Sequence, residues 1–488
     1  MNQKKPIIIW FRRDFRTGGH PALHEASKSG RPIIPVVLLD EVVEAFGSAP
    51  KWRFSKAVEE FERSLNRIGS RLILRRGSAA EVLLNLMRDT QASDIWWTRA
   101  YDPASIARDS EVKCVLKNAG FGAKSWPGQL LFEPWTVKNK NGTFFKVYSP
   151  MWRTVKDVYV SQPEPAPKQL IAPAVWPKSD RIEDWSLGKR LHQGATVLRQ
   201  YANVGEIAAQ SRLLEFINRQ IDGYKEDRDY FSKYATSGLS ENLAWGEISP
   251  REVWHAGSRG LLEGQKGAEH FLKELIWREF AYHLLFHTPE ITSQNWRPEW
   301  DAFQWSEIED ETVMRWKQGR TGIPLVDAAM REMYVTGKMH NRGRMIVGSF
   351  LTKHLLKHWR IGQKWFEECL IDWDPAANAL GWQWVAGSGP DAAPYFRVFN
   401  PETQAQKFDP EQKYIQKFLA ERATKPGPEA LAFFEACPLA WGLTRHSIYP
   451  APIVELAKGR KRALAAYEAL QNAIMSKPEI NFSTVERS

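Results

Sequence analysis

Three short stretches of the chain combine acids, amides, arginines and indoles at helical spacing. The first is Glu274-Leu275-Ile276-Trp277-Arg278-Glu279-Phe280, within an apolar run, where Glu274 and Trp277 stand three residues apart and share a helix face. A carboxylate beside an indole suits a heteroaromatic base: the acid accepts from its edge and the ring stacks on its plane. The same pair also reads as half of a partly buried ion pair beside a core tryptophan. The second stretch, Lys338-Met339-His340-Asn341-Arg342-Gly343-Arg344-Met345, puts Asn341 and Met345 four apart on one face, with Arg342 and Arg344 projecting elsewhere. An amide offers both donor and acceptor to a ring edge, arginines suit phosphate or carboxylate, and His340 reads as a structural histidine. The third, Asp372-Trp373-Asp374-Pro375-Ala376-Ala377-Asn378-Ala379-Leu380-Gly381-Trp382-Gln383-Trp384, packs acids, an amide and indoles into a turn of small residues. Small residues admit a cofactor closely, and the acids suit steadying Arg344 or capping a helix.

The elements that must position these stretches fall into two patterns. Up to residue 130, β-rich runs at Pro6–Phe11, Ile33–Leu39, Arg71–Arg76 and Asp94–Arg99 alternate with helical periodicity at Ala57–Ile68, Ala79–Arg88 and Ser105–Ala119. Such alternation predicts a parallel α/β sheet. The turn after the first run lacks the Gly-x-Gly-x-x-Gly of a dinucleotide site, so a purely structural α/β layer stays open. Residues 131–200 form a connector containing Ser161-Gln162-Pro163-Glu164-Pro165-Ala166-Pro167. From 201 to 488 the period is helical, as in Ala268–Phe286, Gly322–Thr336, Asn341–Leu356 and Arg460–Ala473. The expected architecture is an α/β domain over 1–130 joined to a larger all-α domain over 201–488.

Composition narrows the class. At 488 residues the chain is too long for one core, and no window reaches the roughly 18 apolar residues of a membrane span. Met1-Asn2-Gln3-Lys4-Lys5-Pro6 reads as the start of the fold rather than a signal peptide. The three scattered cysteines, Cys114, Cys369 and Cys437, argue against a disulfide framework or a four-thiolate metal site and fit a reducing cytoplasm. A net charge of +10 leans toward a polyanionic partner. The 22 tryptophans serve equally as core, base-stacking surfaces or redox relays, and composition does not choose among these.

The motifs in order resemble one family. Trp-Arg-Glu-Phe at 277–280, Gly-Ile-Pro-Leu-Val-Asp-Ala-Ala-Met at 322–330 and Met-His-Asn-Arg at 339–342 are similar to the photolyase/cryptochrome flavoproteins. So are Asp-Pro-Ala-Ala-Asn with Gly-Trp-Gln-Trp at 374–384, Tyr-Pro-Ala-Pro-Ile-Val-Glu at 449–455, and the opening Ile-Trp-Phe-Arg-Arg-Asp-Phe-Arg at 9–16. The resemblance covers nearly the whole chain. It implies a Rossmann-like antenna domain and a helical domain burying one U-shaped FAD. In such enzymes the reduced flavin, excited by blue light, donates an electron to a pyrimidine dimer flipped out of DNA.

Position by position, the resemblance puts Tyr224, Thr236, Ser237, Gly238, Leu239 and Ser240 at the FAD phosphates. Many relatives carry a longer polar side chain where this chain has Gly238. Asn378 would face flavin N5, Asp372 would pair with Arg344 beside the isoalloxazine, and Asp374 would belong to the same cofactor site. Glu274 and Asn341 would hydrogen-bond the dimer, Trp277 and Trp384 would pack on it, and Arg228, Arg342, Met345 and Gln404 would complete the substrate contacts. Trp382, Trp359 and Trp305 would relay an electron inward from the surface.

Asn341 with Met345 resembles the cyclobutane-dimer enzymes, since relatives acting on (6-4) photoproducts carry histidine at the Asn341 position. A cryptochrome-type blue-light receptor is the main alternative, although the chain shows no long tail after the helix closing at Ala473. A folate (methenyltetrahydrofolate) or deazaflavin antenna is a further expectation. The Asn-Glu pair that contacts a folate in some relatives is here Ala104-Ser105, and Trp96, Trp97, Arg99 and Tyr101 suit either another antenna site or a structural role. The remaining expectations are dimer-containing DNA as partner, no metal, no membrane, a monomer and a cytoplasmic location.

Overall fold

The computed structural model describes residues 4–475 apart from 190, 192, 193 and 393. Five parallel strands, β1 (Ile7–Phe11), β2 (Ile33–Leu39), β3 (Ile73–Arg76), β4 (Asp94–Thr98) and β5 (Gly122–Trp126), lie in the order β3-β2-β1-β4-β5. Their register runs from Ile7 opposite Ile33 on one side and Asp94 on the other. Because helices cover both faces, β1 and β2 are buried at every position and read as continuous apolar runs. Helices Pro21–Lys28, Ser48–Arg67, Ala79–Thr90 and Pro103–Asn118 close the layers. The sequence reading gave four of the strands and missed β5. Its residues Gly-Ala-Lys-Ser-Trp carry little apolar signal because the strand lies at the sheet edge and pairs on one side.

After β5 the described residues carry the helix Tyr148–Val155 and shorter helical turns until Glu206–Arg219, and from there on the chain is mainly helical. Helices Ala268–His287, Pro324–Thr336, Asn341–Ser349, Trp359–Cys369 and Pro375–Ala386 enclose the three sequence stretches described above. The predicted Asn341–Leu356 helix stops at Ser349 and continues as a π-helical turn over Phe350–His354. The two halves are locked by ions as well as apolar packing. Arg53, from the sheet layer, donates to Glu241 at 2.5 Å and to Glu247 at 2.6 and 2.9 Å, and all three are fully buried. Lys338, just before the His340 turn, closes on the other Glu241 oxygen at 2.5 Å.

Candidate active site in the helical domain

Helix caps set the site's frame. Asp374 caps Pro375–Ala386, its Oδ1 accepting from the N–H groups of Ala376 and Ala377 at 3.0 and 2.9 Å. Its Oδ2 accepts from the Tyr282 hydroxyl at 2.6 Å. Both oxygens thus have donors from the scaffold, and the carboxylate pegs the helix bearing Asn378, Trp382 and Trp384. His340 caps Asn341–Ser349 through Nδ1, which accepts from the Arg342 N–H at 3.2 Å. Burial pushes its pKa down to about 4, keeping that lone pair free. Glu332 fixes the turn from behind, accepting from the His340 N–H at 2.9 Å and the Tyr414 hydroxyl at 2.6 Å.

On this frame Asp372 meets Arg344 and Ser240, both donating to its Oδ2 at 2.7 Å. Its Oδ1 is buried without a partner. An unpaired buried carboxylate oxygen costs free energy unless a donor arrives, and a flavin ring supplies an N–H donor. The residues present therefore fit the cofactor that the resemblance implied. Segment 236–240 leads into helix Ser240–Ala244 and turns through Gly238 at φ +62°, a backbone that side chains disfavour. Leu239 is buried, and Ser237 Oγ accepts from its N–H at 3.5 Å. Tyr224 packs edge-on to Phe216 and Phe271, with Arg228 over its ring at 5.2 Å. Asn378 donates through Nδ2 to the Gln363 carbonyl at 3.0 Å, which fixes its amide.

A second group lies on the Ala268–His287 helix. Glu274 Oε1 pairs with Arg228 and lies 3.6 Å from His270, and Arg228 meets His270 at 2.8 Å. Burial draws the Arg228 pKa down, but the bond to Glu274 together with the charges of Glu274 and Asp229 and the nearby Tyr224 raises it overall. Burial and the Arg228 charge lower that of His270, so the charge in this trio sits on the arginine–carboxylate pair. Trp277 stacks face to face on Tyr148 at 3.9 Å and meets Phe280 edge-on. Arg342 pairs with Asp229, donates to Gln404 at 3.1 Å and lies 3.7 Å over Phe408. Asn341 is exposed at the start of its helix, and Met345 is half-buried one turn later. Sequence reasoning missed His270, Asp229, Tyr148 and Phe408. His270 had a signal, standing four residues before Glu274 on one face.

The three indoles are buried. Trp305 and Trp359 flank His358, with ring centroids 5.4 and 5.3 Å from the imidazole, and Trp359 Nε1 donates to Asn295 at 2.8 Å. Trp382 packs on Phe366 at 4.8 Å and presses against Gly362, one turn beyond Trp359; a Cβ there would lie 2.0 Å from the Trp382 ring. Trp384 is half-buried against the same core.

The α/β half carries a polar cluster of its own. At the switch point between β1 and β4, where doubly wound sheets open their crevice, Arg12 pairs with Asp109 at 2.8 Å and Arg108 with Asp40 at 2.9 Å. The cavity they leave is about 30 Å³, enough for one water. Trp97 is buried, and Arg99 and Tyr101 share Glu133 at 2.7 and 3.0 Å, so these three are engaged in scaffold contacts.

Residues 7–169 match the family model for DNA photolyase, and residues 271–469 match that for the FAD binding domain of DNA photolyase. A deoxyribodipyrimidine photo-lyase from Agrobacterium fabrum is 42% identical, over 96% of this chain and 98% of its own. The chain belongs to the DNA photolyase family. The solved structure of a class III photolyase from Agrobacterium tumefaciens superposes with a TM-score of 0.88 at 41% identity, over 97% of this chain and 99% of that one. Cryptochrome-2 of Arabidopsis thaliana is more distant, 33% identical over 97% of this chain and 80% of its own. The family's two-part architecture is the one observed, and the FAD binding domain covers the segments that carry Glu274, Arg344, Asp372 and Asn378. Among the described residues no helix is long and apolar enough to cross a membrane.

Proposed function

We infer that this photolyase splits cyclobutane pyrimidine dimers in DNA in a light-driven reaction, with FAD held in the helical domain. The observation that carries the reading is Asp372, whose buried Oδ1 waits for a donor while its Oδ2 is tied to Arg344 and Ser240. FAD, when bound and reduced, supplies the electron that light makes available. The protein's own part is to bind, orient and dry the reactants. Tyr224 and segment 236–240 would hold the phosphates with hydroxyl and backbone donors, Arg344–Asp372 would fix the flavin ring, and Asn378 would face its N5. Glu274, with Oε1 committed to Arg228, would accept from the dimer's N–H edge through Oε2. Asn341 would hydrogen-bond the same dimer, while Trp277 and Trp384 would pack on it beside Met345. Arg228, Arg342 and Gln404 would line the rim where DNA phosphates approach, so binding should weaken steeply with salt. Trp305, Trp359 and Trp382 would carry an electron inward to restore the reduced cofactor.

A folate or deazaflavin antenna, if carried, would sit outside the switch-point crevice, because the paired arginines fill it. A purified protein with one near-ultraviolet or violet absorption band beyond those of flavin would support such an antenna. The protein is read as a monomer in the cytoplasm.

The test is an oligonucleotide carrying one thymine dimer, incubated with reduced protein under blue light and in the dark. Repair in light alone is expected. Flavin-loaded protein that repairs nothing would overturn the reading in favour of a receptor or of (6-4) damage. Glu274→Ala should lower repair yield about tenfold while flavin content stays at the wild-type level, and an unchanged yield would remove its assigned role.

A further inference from the structure

Beside segment 236–240 the cofactor reading leaves Arg212 unused. Arg212 projects from the middle of helix Glu206–Arg219 onto segment 236–240, and its side chain is only 13% exposed. Its Nη2 donates to the Thr236 carbonyl at 3.1 Å, and its guanidinium lies 4.4 Å over the Tyr234 ring. The carboxylate it meets is Glu215, 3.3 Å away on the same helix and 39% exposed. A guanidinium has more N–H donors than these two acceptors use. Burial lowers the Arg212 pKa, and Glu215 acts in the opposite sense.

Gly238 makes this approach possible. A Cβ on residue 238 would lie 3.0 Å from both Nε and Nη2 of Arg212, so the guanidinium takes space that a side chain would need. The segment's own donors, hydroxyls and backbone N–H groups, carry no full charge. A diphosphate bound by them alone would keep its negative charge largely uncompensated, whereas an arginine fork binds phosphate oxygens with charge-assisted bonds.

We propose that Arg212 is the cationic contact for the FAD phosphates, delivered from a neighbouring helix into the space Gly238 leaves open. The proposal rests on the reading that segment 236–240 holds those phosphates. It explains how a chain with glycine at 238 keeps a charged contact there.

FAD release from purified holoprotein tests it, followed by the fluorescence of freed flavin after dilution at low and high salt. Arg212→Ala should release FAD about tenfold faster, with Arg212→Lys between it and wild type. Salt should speed release from wild type more than from Arg212→Ala. Gly238→Ala, which keeps the arginine but pushes it aside, should also speed release and covers the case in which Arg212→Ala does not fold. Equal release from all variants would overturn the proposal alone. So would a lowered melting temperature with an unchanged salt dependence of release, since that is what a purely structural tie between helix and segment would give. Wild type without flavin would overturn the cofactor reading as well.

Discussion

The domain junction and the Asp372 cluster of the helical domain both bury carboxylates against arginines, and they finish the job differently. At the junction every oxygen of Glu241 and Glu247 has a donor, from Arg53, Lys338, Asn203 or Asn242. At Asp372 one oxygen has two donors and the other has none. A buried carboxylate whose oxygens are all paired holds elements in place and has nothing left to bind with. A network left one donor short stores a binding preference at some cost in stability. In sequence these three acids carry no mark that tells them apart, and the count of their partners is what separates scaffold from candidate site.

Three substitutions can break or sharpen that contrast. Arg53→Ala should be the most damaging to the fold, costing about 3–5 kcal/mol, because two buried carboxylates lose their shared counter-charge. Denaturant unfolding of the holoprotein measures it, and a loss below about 1 kcal/mol would mean the junction tolerates unpaired acids. Asp372→Asn keeps the shape and removes the charge beside Arg344. It should weaken FAD retention about tenfold with little change in unfolding, and the reverse result would erase the distinction between the two regions. Glu279 is the intermediate case. It accepts from the Leu131 and Phe132 N–H groups at 2.8 and 3.3 Å and lies 3.3 Å from Arg278, yet burial pushes its pKa from the usual 4.5 up to about 7. The folded chain then binds more protons than the unfolded chain between those values, so this group's contribution to stability falls as pH rises from about 4.5 to 7. Glu279→Gln should flatten that slope by an amount smaller than the Arg53→Ala effect, and an unchanged slope would show that other groups set it.

Much of the fold was legible because its signals are periodic. Strands buried on both faces appear as apolar runs, and Ala268–His287 starts where the helical period says it should. The edge strand β5 and the π-helical end after Ser349 were not legible, since one-sided pairing and a local underwinding leave no period. For the site, motif order brought Glu274, Arg344 and Asp372 into view. Sequence could not say that Asp374 spends both oxygens on a cap and Tyr282, because that depends on a hydroxyl contributed from 92 residues away. Nor could it find Arg212, whose interest depends on a missing side chain across a tertiary contact.

His358 has a bearing on redox chemistry that its packing role does not exhaust. Its Nδ1 accepts from the Arg360 N–H at 3.1 Å, and burial, helped by Arg360, pushes its pKa down to about 4. The imidazole between Trp305 and Trp359 is therefore uncharged across the physiological range. An indole that has lost an electron is a radical cation, and a protonated imidazole at this distance would repel it. By capping a helix, His358 keeps a like charge away from both rings, so the ease of oxidising either indole should be insensitive to pH until the medium is acidic enough to undo the cap.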